Sequence, residues 1–296
     1  MLSLSGCGTL SPVSMQRENT AGRVRFEDFS PVWQPFAPEI IPGLFYTAAR
    51  TSEPRLEFWA IRADLTEPSL MLVVNDRGIA REENQAVMPS TRVSSFVRDY
   101  DCLVGINTVP FHPVSATEGE GRTCIGIVVS AGVLISPPAP GYDALVFFKD
   151  GRAVIIAQNE IGDLDTVENA LGGFRIILQE SELPPRLLSD AGSPRHNLPR
   201  HPRSAAGLSA DGKTLYLLVI DGRRPGSIGA TEAEIGLILK KLGAASGLNF
   251  DGGGSSAMAL RFPDGRVRTV NTPIHGGIPG RERAVAACLG LRAVEK

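Results

Sequence analysis

Residues 248–258 read Leu-Asn-Phe-Asp-Gly-Gly-Gly-Ser-Ser-Ala-Met, and the fold turns on how this stretch is understood. An apolar, strand-like run over 247–250 delivers one carboxylate, Asp251, at its end. Gly252, Gly253 and Gly254 follow. Lacking a Cβ, they reach backbone conformations closed to other residues and let the chain lie directly against a ligand. The hydroxyls of Ser255 and Ser256 come next, ahead of a second strand-like run over 257–262. A carboxylate beside bare amides and hydroxyls is a grip suited to a sugar or a phosphate. The plainer alternative is a hairpin whose glycines only turn the chain. A dinucleotide fingerprint requires a helix after its glycines, and the residues here read as strand. A P-loop requires Gly-Lys-Ser/Thr, which does not follow.

Upstream, residues 214–220 are nearly all apolar and end in Asp221-Gly222-Arg223. Thr231-Glu232-Ala233-Glu234 then has capping-box spacing. Ile235, Ile238, Leu239 and Leu242 recur at i, i+3, i+4, i+7, one face of a helix. Lys240 and Lys241 occupy its last turn and Gly243 ends it, as a helix C-terminus prefers. The spacing predicts a strand-helix-strand unit over 214–262, whose right-handed crossover joins parallel strands. Asp221 and Asp251 would then leave the carboxyl edge of one sheet, where open sheets bind ligands. The fold class expected is α+β, a mixed β-sheet core with few helices. Residues 91–100 read as a second helix with Val93, Phe96 and Val97 on one face, feeding a strand that ends at Asn107.

Four motifs stand in a specific order and spacing: Pro202-Arg203-Ser204-Ala205-Ala206-Gly207, then Val219-Ile220-Asp221-Gly222-Arg223, then residues 249–256, and finally Arg281-Glu282-Arg283-Ala284-Val285. In these the chain resembles the phosphodiester glycosidases, and weaker similarity runs back to about Pro42. The resemblance implies hydrolysis of an N-acetylglucosamine-1-phosphodiester. One departure stands out. The family usually carries Asn-Gly-Gly-Phe-Phe where this chain has Asn107-Thr108-Val109-Pro110-Phe111-His112. Asn107 is kept, and its amide can donate to and accept from sugar hydroxyls.

The expected site therefore has three carboxylates: Asp251 as first choice for the catalytic acid group, with Asp221 and Glu282 next. Its substrate-binding groups are Asn107, Arg203, Arg223, Arg281, Arg283, the glycines 252–254, Ser255 and Ser256. Carboxylate pairs are the usual equipment for glycosidic cleavage. Arginine partners phosphate because its fork makes two charge-assisted hydrogen bonds. A phosphate monoester leaves more easily than an alcohol, so stabilising its charge matters more than protonating it. That role falls to Arg203, Arg281 or Arg283, while one carboxylate acts as nucleophile or as base towards water. No metal and no other cofactor is expected; Asp163 and Asp165 lack further oxygen ligands at calcium-loop spacing. Two other readings compete: a noncatalytic glycan- or wall-polymer-binding envelope lipoprotein, and a metal-dependent phosphodiesterase cutting the P–O bond.

The formal net charge of −2 gives no electrostatic argument for nucleic acid or an anionic membrane. No apolar run approaches the roughly 20 residues needed to span a bilayer. The four cysteines form no Cys-x-x-Cys pair, against a zinc knuckle. Cys102 and Cys124 either bridge in an oxidising compartment or stay free and buried. Leu4-Ser5-Gly6-Cys7 resembles a bacterial lipobox, though without the charged and apolar regions that normally precede one. The expectation is an extracytoplasmic, periplasmic or envelope lipoprotein: a tether over 1–31, a glycosidase-like domain over 32–294, and membrane contact only through a lipid on Cys7. The polar segment 184–202, with Arg195, His196, Arg200 and His201, reads as a loop lining the site. Residues 275–280 read as a mobile flap.

Overall fold

The computed structural model describes residues 22–37, 39–76, 79–81, 85–191 and 199–294. Cys7, Arg195 and His196 lie outside them. Three α-helices occur among the described residues: α1 (Val93–Asp99), α2 (Pro185–Ala191) and α3 (Glu232–Leu242).

The apolar strand Thr214–Ile220 is continuous because it lies inside a seven-stranded sheet and is covered on both faces. Strand order is Gln34–Pro35, Leu44–Arg50, Glu57–Asp64, Thr214–Ile220, Arg203–Leu208, Ser246–Asn249, Arg175–Leu178. On one face Leu218, Ile220 and Ala205 pack beneath α3. On the other, Leu217, Val219, Ala206, Leu248 and Phe250 share a core with Val104, Ile106, Met258, Leu289 and Leu291 of a five-stranded sheet. The inner face of α1 (Val93, Phe96, Val97) is buried as its spacing predicts. A further five-stranded and a four-stranded sheet complete the architecture.

The α3 prediction holds in detail. Thr231 Oγ1 accepts from the Glu234 amide at 3.3 Å, and Glu234 Oε2 accepts from the Thr231 amide at 3.0 Å. Gly243 closes the helix in the left-handed region at φ 112. Thr231→Ala is expected to lower stability by about 1 kcal/mol, read as a drop in denaturation midpoint at unchanged slope.

The sheet itself differs from expectation. Thr214–Ile220 and Ser246–Asn249 run the same way, but they are not neighbours: Arg203–Leu208 lies between them, antiparallel to both. Every pairing between the strands is antiparallel, so the sheet is not mixed. With 42% strand against 13% helix, the fold is mostly β rather than a balanced α+β. The reason lies in the small residues of Arg203–Leu208. A Cβ on Gly207 would stand 2.7 Å from Ala244 Cβ and 3.0 Å from the Ser246 carbonyl oxygen. Only a slim strand fits in the middle of the crossover, and this one arrives from a segment that hydrophobic periodicity does not mark.

Residues 22–29, assigned to the tether by sequence, are docked on the fold. Phe26 and Phe29 are buried beside Phe58, and Arg23 donates to the carbonyls of Thr51 and Gly226, both at 2.7 Å. Cys102, Cys124 and Cys288 are free and buried, so the Cys102–Cys124 bridge is not formed. Asp163 caps a short 3-10 turn by accepting from the Asp165 amide at 3.0 Å.

Candidate active site

Register decides what meets at the end of the seven-stranded sheet. Ile220 faces Arg203 and Asn249 faces Ala205, while the Phe250 amide donates to the Ser204 carbonyl at 2.9 Å. The chain therefore leaves the same sheet edge at Asp221 and at Asp251, with the Arg203 strand between. Two strand spacings put the exits about 10 Å apart.

Asp251 is held by its own backbone. Its amide donates to the Thr108 carbonyl at 2.8 Å, and its carbonyl accepts from Asn107 Nδ2 at 2.7 Å. Burial pushes its carboxyl up to about 6, against the opposing pull of the Ser255 hydroxyl, Arg283 and the Gly252 amide. Arg283 lies beside it, donating Nη1 to Ser255 Oγ and Nε to His275 Nδ1, each at 3.0 Å. Arg223 is exposed, in the left-handed region at φ 58, with Nη2 3.2 Å from His201 Nδ1. Arg203 donates Nε to the Ala230 carbonyl at 3.1 Å. Burial lowers the pKa of both Arg203 and Arg283, and Arg223 opposes their charge as well.

The three glycines stand close against neighbouring protein groups. A Cβ on Gly252 would stand 2.9 Å from the Pro202 carbonyl oxygen and 3.6 Å from Arg203 Cδ. On Gly253, at φ 62, it would stand 3.1 Å from Arg223 Nη2, and on Gly254 2.6 Å from Arg283 Nη2. Gly253 and Gly254 thus make room for the guanidinium groups of Arg223 and Arg283, and Gly252 for the Pro202 carbonyl at the start of the Arg203 strand. Beside Arg203 opens a cleft of about 300 Å³, lined among others by Arg186, His201, Thr231 and Glu232. The larger hollow of about 830 Å³ near Arg25, Arg55 and Arg200 is a poor candidate. Its ions are largely spent: Arg200 is bidentate to Glu234, Arg25 pairs with Glu27, and Lys241 donates to two carbonyls.

The other expected acids stand elsewhere. Asp221 is fully buried; Oδ1 accepts from the Thr272 amide at 2.9 Å and Asn271 Nδ2 at 3.3 Å, and Oδ2 lies 2.7 Å from Arg224. Arg224 also reaches Glu57 at 2.8 Å, which Arg23 and Arg50 flank at 3.1 and 3.4 Å. Burial raises Asp221 to about 6, with Arg224 opposing. Asn271, in turn, donates to the Ser256 carbonyl at 3.0 Å and accepts from the Met258 amide at 3.0 Å. Asp221 therefore braces the glycine loop from behind and presents no surface to a ligand. Glu282 accepts from the Ser94 amide at 3.1 Å and closes the N-terminus of α1, where Glu118 likewise accepts from the Arg92 amide at 2.7 Å.

Asn107, expected to face sugar, spends its carboxamide on the protein. It accepts from Ser204 Oγ at 2.6 Å and the Ala257 amide at 3.1 Å while donating to Asp251. Arg281 is exposed and meets the site through its carbonyl, which accepts from the His275 amide at 3.0 Å. Ser256 is buried, and its backbone rather than its hydroxyl is engaged. Of the segment 184–202, read as a loop, Pro185–Ala191 is instead helix α2; His201 does line the cleft, whereas Arg200 is tied to Glu234. Asn271 and His275 belong to the arrangement although sequence reasoning passed over both as site residues. Their only signal was nearness to the final charged motif.

Fold and site together define an antiparallel β protein that carries an acid of raised pKa among arginines at the edge of its central sheet. The profile of the family described as phosphodiester glycosidase (NAGPA) matches residues 100–292, and the chain belongs to that family. The chain is also similar to the SPbeta prophage-derived uncharacterized protein YomE of Bacillus subtilis (strain 168), 31% identical over 144 residues. That match covers 46% of this chain and only 22% of that relative's length. Among solved structures, it is similar to the zebrafish N-acetylglucosamine-1-phosphodiester alpha-N-acetylglucosaminidase catalytic domain auto-inhibited by pro-peptide. There the TM-score is 0.58 at 18% identity, covering 93% of this chain and 87% of that one. A hypothetical protein from Synechocystis gives a TM-score of 0.56 at 16% identity, covering 86% and 62%. At these identities the likeness is one of fold.

Proposed function

We propose that the protein hydrolyses the bond between anomeric carbon and phosphate oxygen in a sugar-1-phosphodiester, with N-acetylglucosamine the first sugar to test. The observation that carries this reading is Asp251 with its raised carboxyl beside Arg283, which is bonded to Ser255, and with Arg223 next along the glycine run. Family membership supports it, and so does the fold shared with the zebrafish enzyme.

In this reading the C1–O bond breaks and its electron pair leaves on the phosphate monoester. Arg283 and Arg223 stabilise that charge, and Arg203 walls the adjoining cleft. Asp251, as carboxylate, attacks C1 or takes the proton of the attacking water. With Asp221 turned inward, a second carboxylate at glycosidase spacing is not supplied by the residues first expected. The leaving phosphate makes general acid help less necessary, which is consistent with a single acid. Inversion or retention is then read from the anomer released rather than from a carboxylate separation.

Hydrolysis in oxygen-18 water is the deciding experiment, run over a panel of sugar-1-phosphodiesters with reducing sugar followed. Label should enter the sugar; label in the phosphate would replace this reading with phosphodiesterase chemistry. The acid limb of kcat/KM should report Asp251. Because the ionised form is active, activity should rise with pH through an apparent pKa of about 6. A cell-envelope substrate and a lipid on Cys7 are part of the proposal. They rest on Leu4-Ser5-Gly6-Cys7, and the absence of label after growth with radioactive palmitate would remove the lipid.

A further inference from the structure

We propose that His275 is a positioning residue: its Nδ1 seats Arg283, and through Arg283 and Ser255 it holds Asp251 in working orientation. The inference rests on the roles given above to Asp251 and Arg283. Arg283 spans two acceptors, His275 Nδ1 on Nε and Ser255 Oγ on Nη1, each at 3.0 Å. A guanidinium carries only donors, so Nδ1 must offer a lone pair and the neutral ring keeps its proton on Nε2. Ser255 Oγ accepts from Arg283, so its own proton is free to turn towards Asp251, four positions earlier in the chain. Arg283 is thus fixed at both ends beside Asp251, whose carboxyl its charge favours in the ionised form.

Protonating His275 would remove the acceptor from Arg283 Nε and set a second cation against it. The charged groups facing the ring are Arg283 and Arg281, with Asp251 and Arg223 acting on Arg283 from beyond. Burial and both arginines keep the ring neutral to lower pH than an ordinary histidine. Gly254 completes the seat, since a Cβ there would meet both Arg283 and the His275 backbone. The device recurs once in the same site. Arg223 Nη2 lies 3.2 Å from His201 Nδ1, and burial with Arg203 and Arg223 disfavours protonation of that ring too.

The test has two arms. In the free protein, the Asp251 carboxyl is titrated by carbon-13 NMR in wild type, His275→Ala, His275→Asn and His275→Gln. Losing the seat frees Arg283 and Ser255, so the alanine variant should raise the Asp251 midpoint by about half a pH unit or more. Asparagine sets an oxygen where Nδ1 stood and should hold the midpoint near wild type. Glutamine sets its oxygen one carbon further and should not. In turnover of the sugar-1-phosphodiester, His275→Ala should lower kcat/KM about thirtyfold, with asparagine recovering about tenfold of it. The acid limb should move with the NMR midpoint. An Asp251 midpoint equal in wild type and the alanine variant would overturn the proposal, as would asparagine behaving like glutamine in both arms. Should the alanine variant fail to fold, the asparagine–glutamine comparison decides. If wild type cleaves no sugar-1-phosphodiester, the functional reading fails and the NMR arm still decides the role of His275.

Discussion

Asp251→Asn should lower kcat/KM by at least about a hundredfold, a loss near 2.7 kcal/mol of transition-state stabilisation, while leaving a folded protein. The amide keeps the shape of the carboxylate, and the backbone bonds of residue 251 to Thr108 and Asn107 are untouched. It can neither attack C1 nor take a proton from water. A protein that only bound glycan would lose little affinity from the same change, so the variant separates the two classes in one assay.

Stability guards against a trivial explanation. Burial raises the folded-state pKa of Asp251 from 3.8 to about 6. Between those values the folded state binds more protons than the unfolded one, so this residue makes stability fall as pH rises across that window. Above it the ionised carboxylate remains a net cost. Asp251→Asn lacks that cost and should be at least as stable as wild type at neutral pH, with a flatter dependence of denaturation midpoint between about pH 4 and 6. Lost turnover with preserved stability would locate the defect in the chemistry. A variant that binds and turns over substrate normally would remove Asp251 from the mechanism.

Gly254→Ala should be nearly as damaging. The new Cβ would stand 2.6 Å from Arg283 Nη2, 3.1 Å from its Cζ and 3.3 Å from the His275 Cα. A real Cβ does not tolerate the first distance, and the soft partner is the end of the arginine. The fold should survive while Arg283 swings away, at a cost of about ten- to a hundredfold in kcat/KM. Arg283→Ala should cost as much or more. Because both changes act through the placement of one guanidinium, the double variant should lose no more than Arg283→Ala alone. Additive losses would show that the glycine serves something other than Arg283. Gly252→Ala offers a contrast, since its Cβ meets the rigid Pro202 carbonyl at 2.9 Å and should cost stability as well.

Much of this was legible along the chain. The α3 helix announced itself through its cap, its apolar face and its terminal glycine, all set by interactions within one or two turns. Asp221 and Asp251 were rightly placed at one edge, because a crossover helix fixes strand direction whether or not another strand lies inside it. Glycine-rich sequence flagged the loop but not its purpose. A missing Cβ looks the same whether the space goes to a ligand or to the Pro202 carbonyl, Arg223 and Arg283.

By itself, the sequence determined helices α1 and α3, the family, and the exit of Asp221 and Asp251 at one end of the central sheet. These follow from short-range propensity and from motif order. Tertiary structure alone decided which acids are spent on holding the fold. Asp221 is buried by partners about fifty positions away, Thr272 and Asn271, together with Arg224. Glu282 is taken by the α1 amide of Ser94, and Asn107 by the backbone of Asp251. Burial and hydrogen-bond satisfaction depend on which distant groups the folded chain brings within about 3 Å, and spacing along the sequence carries no record of that.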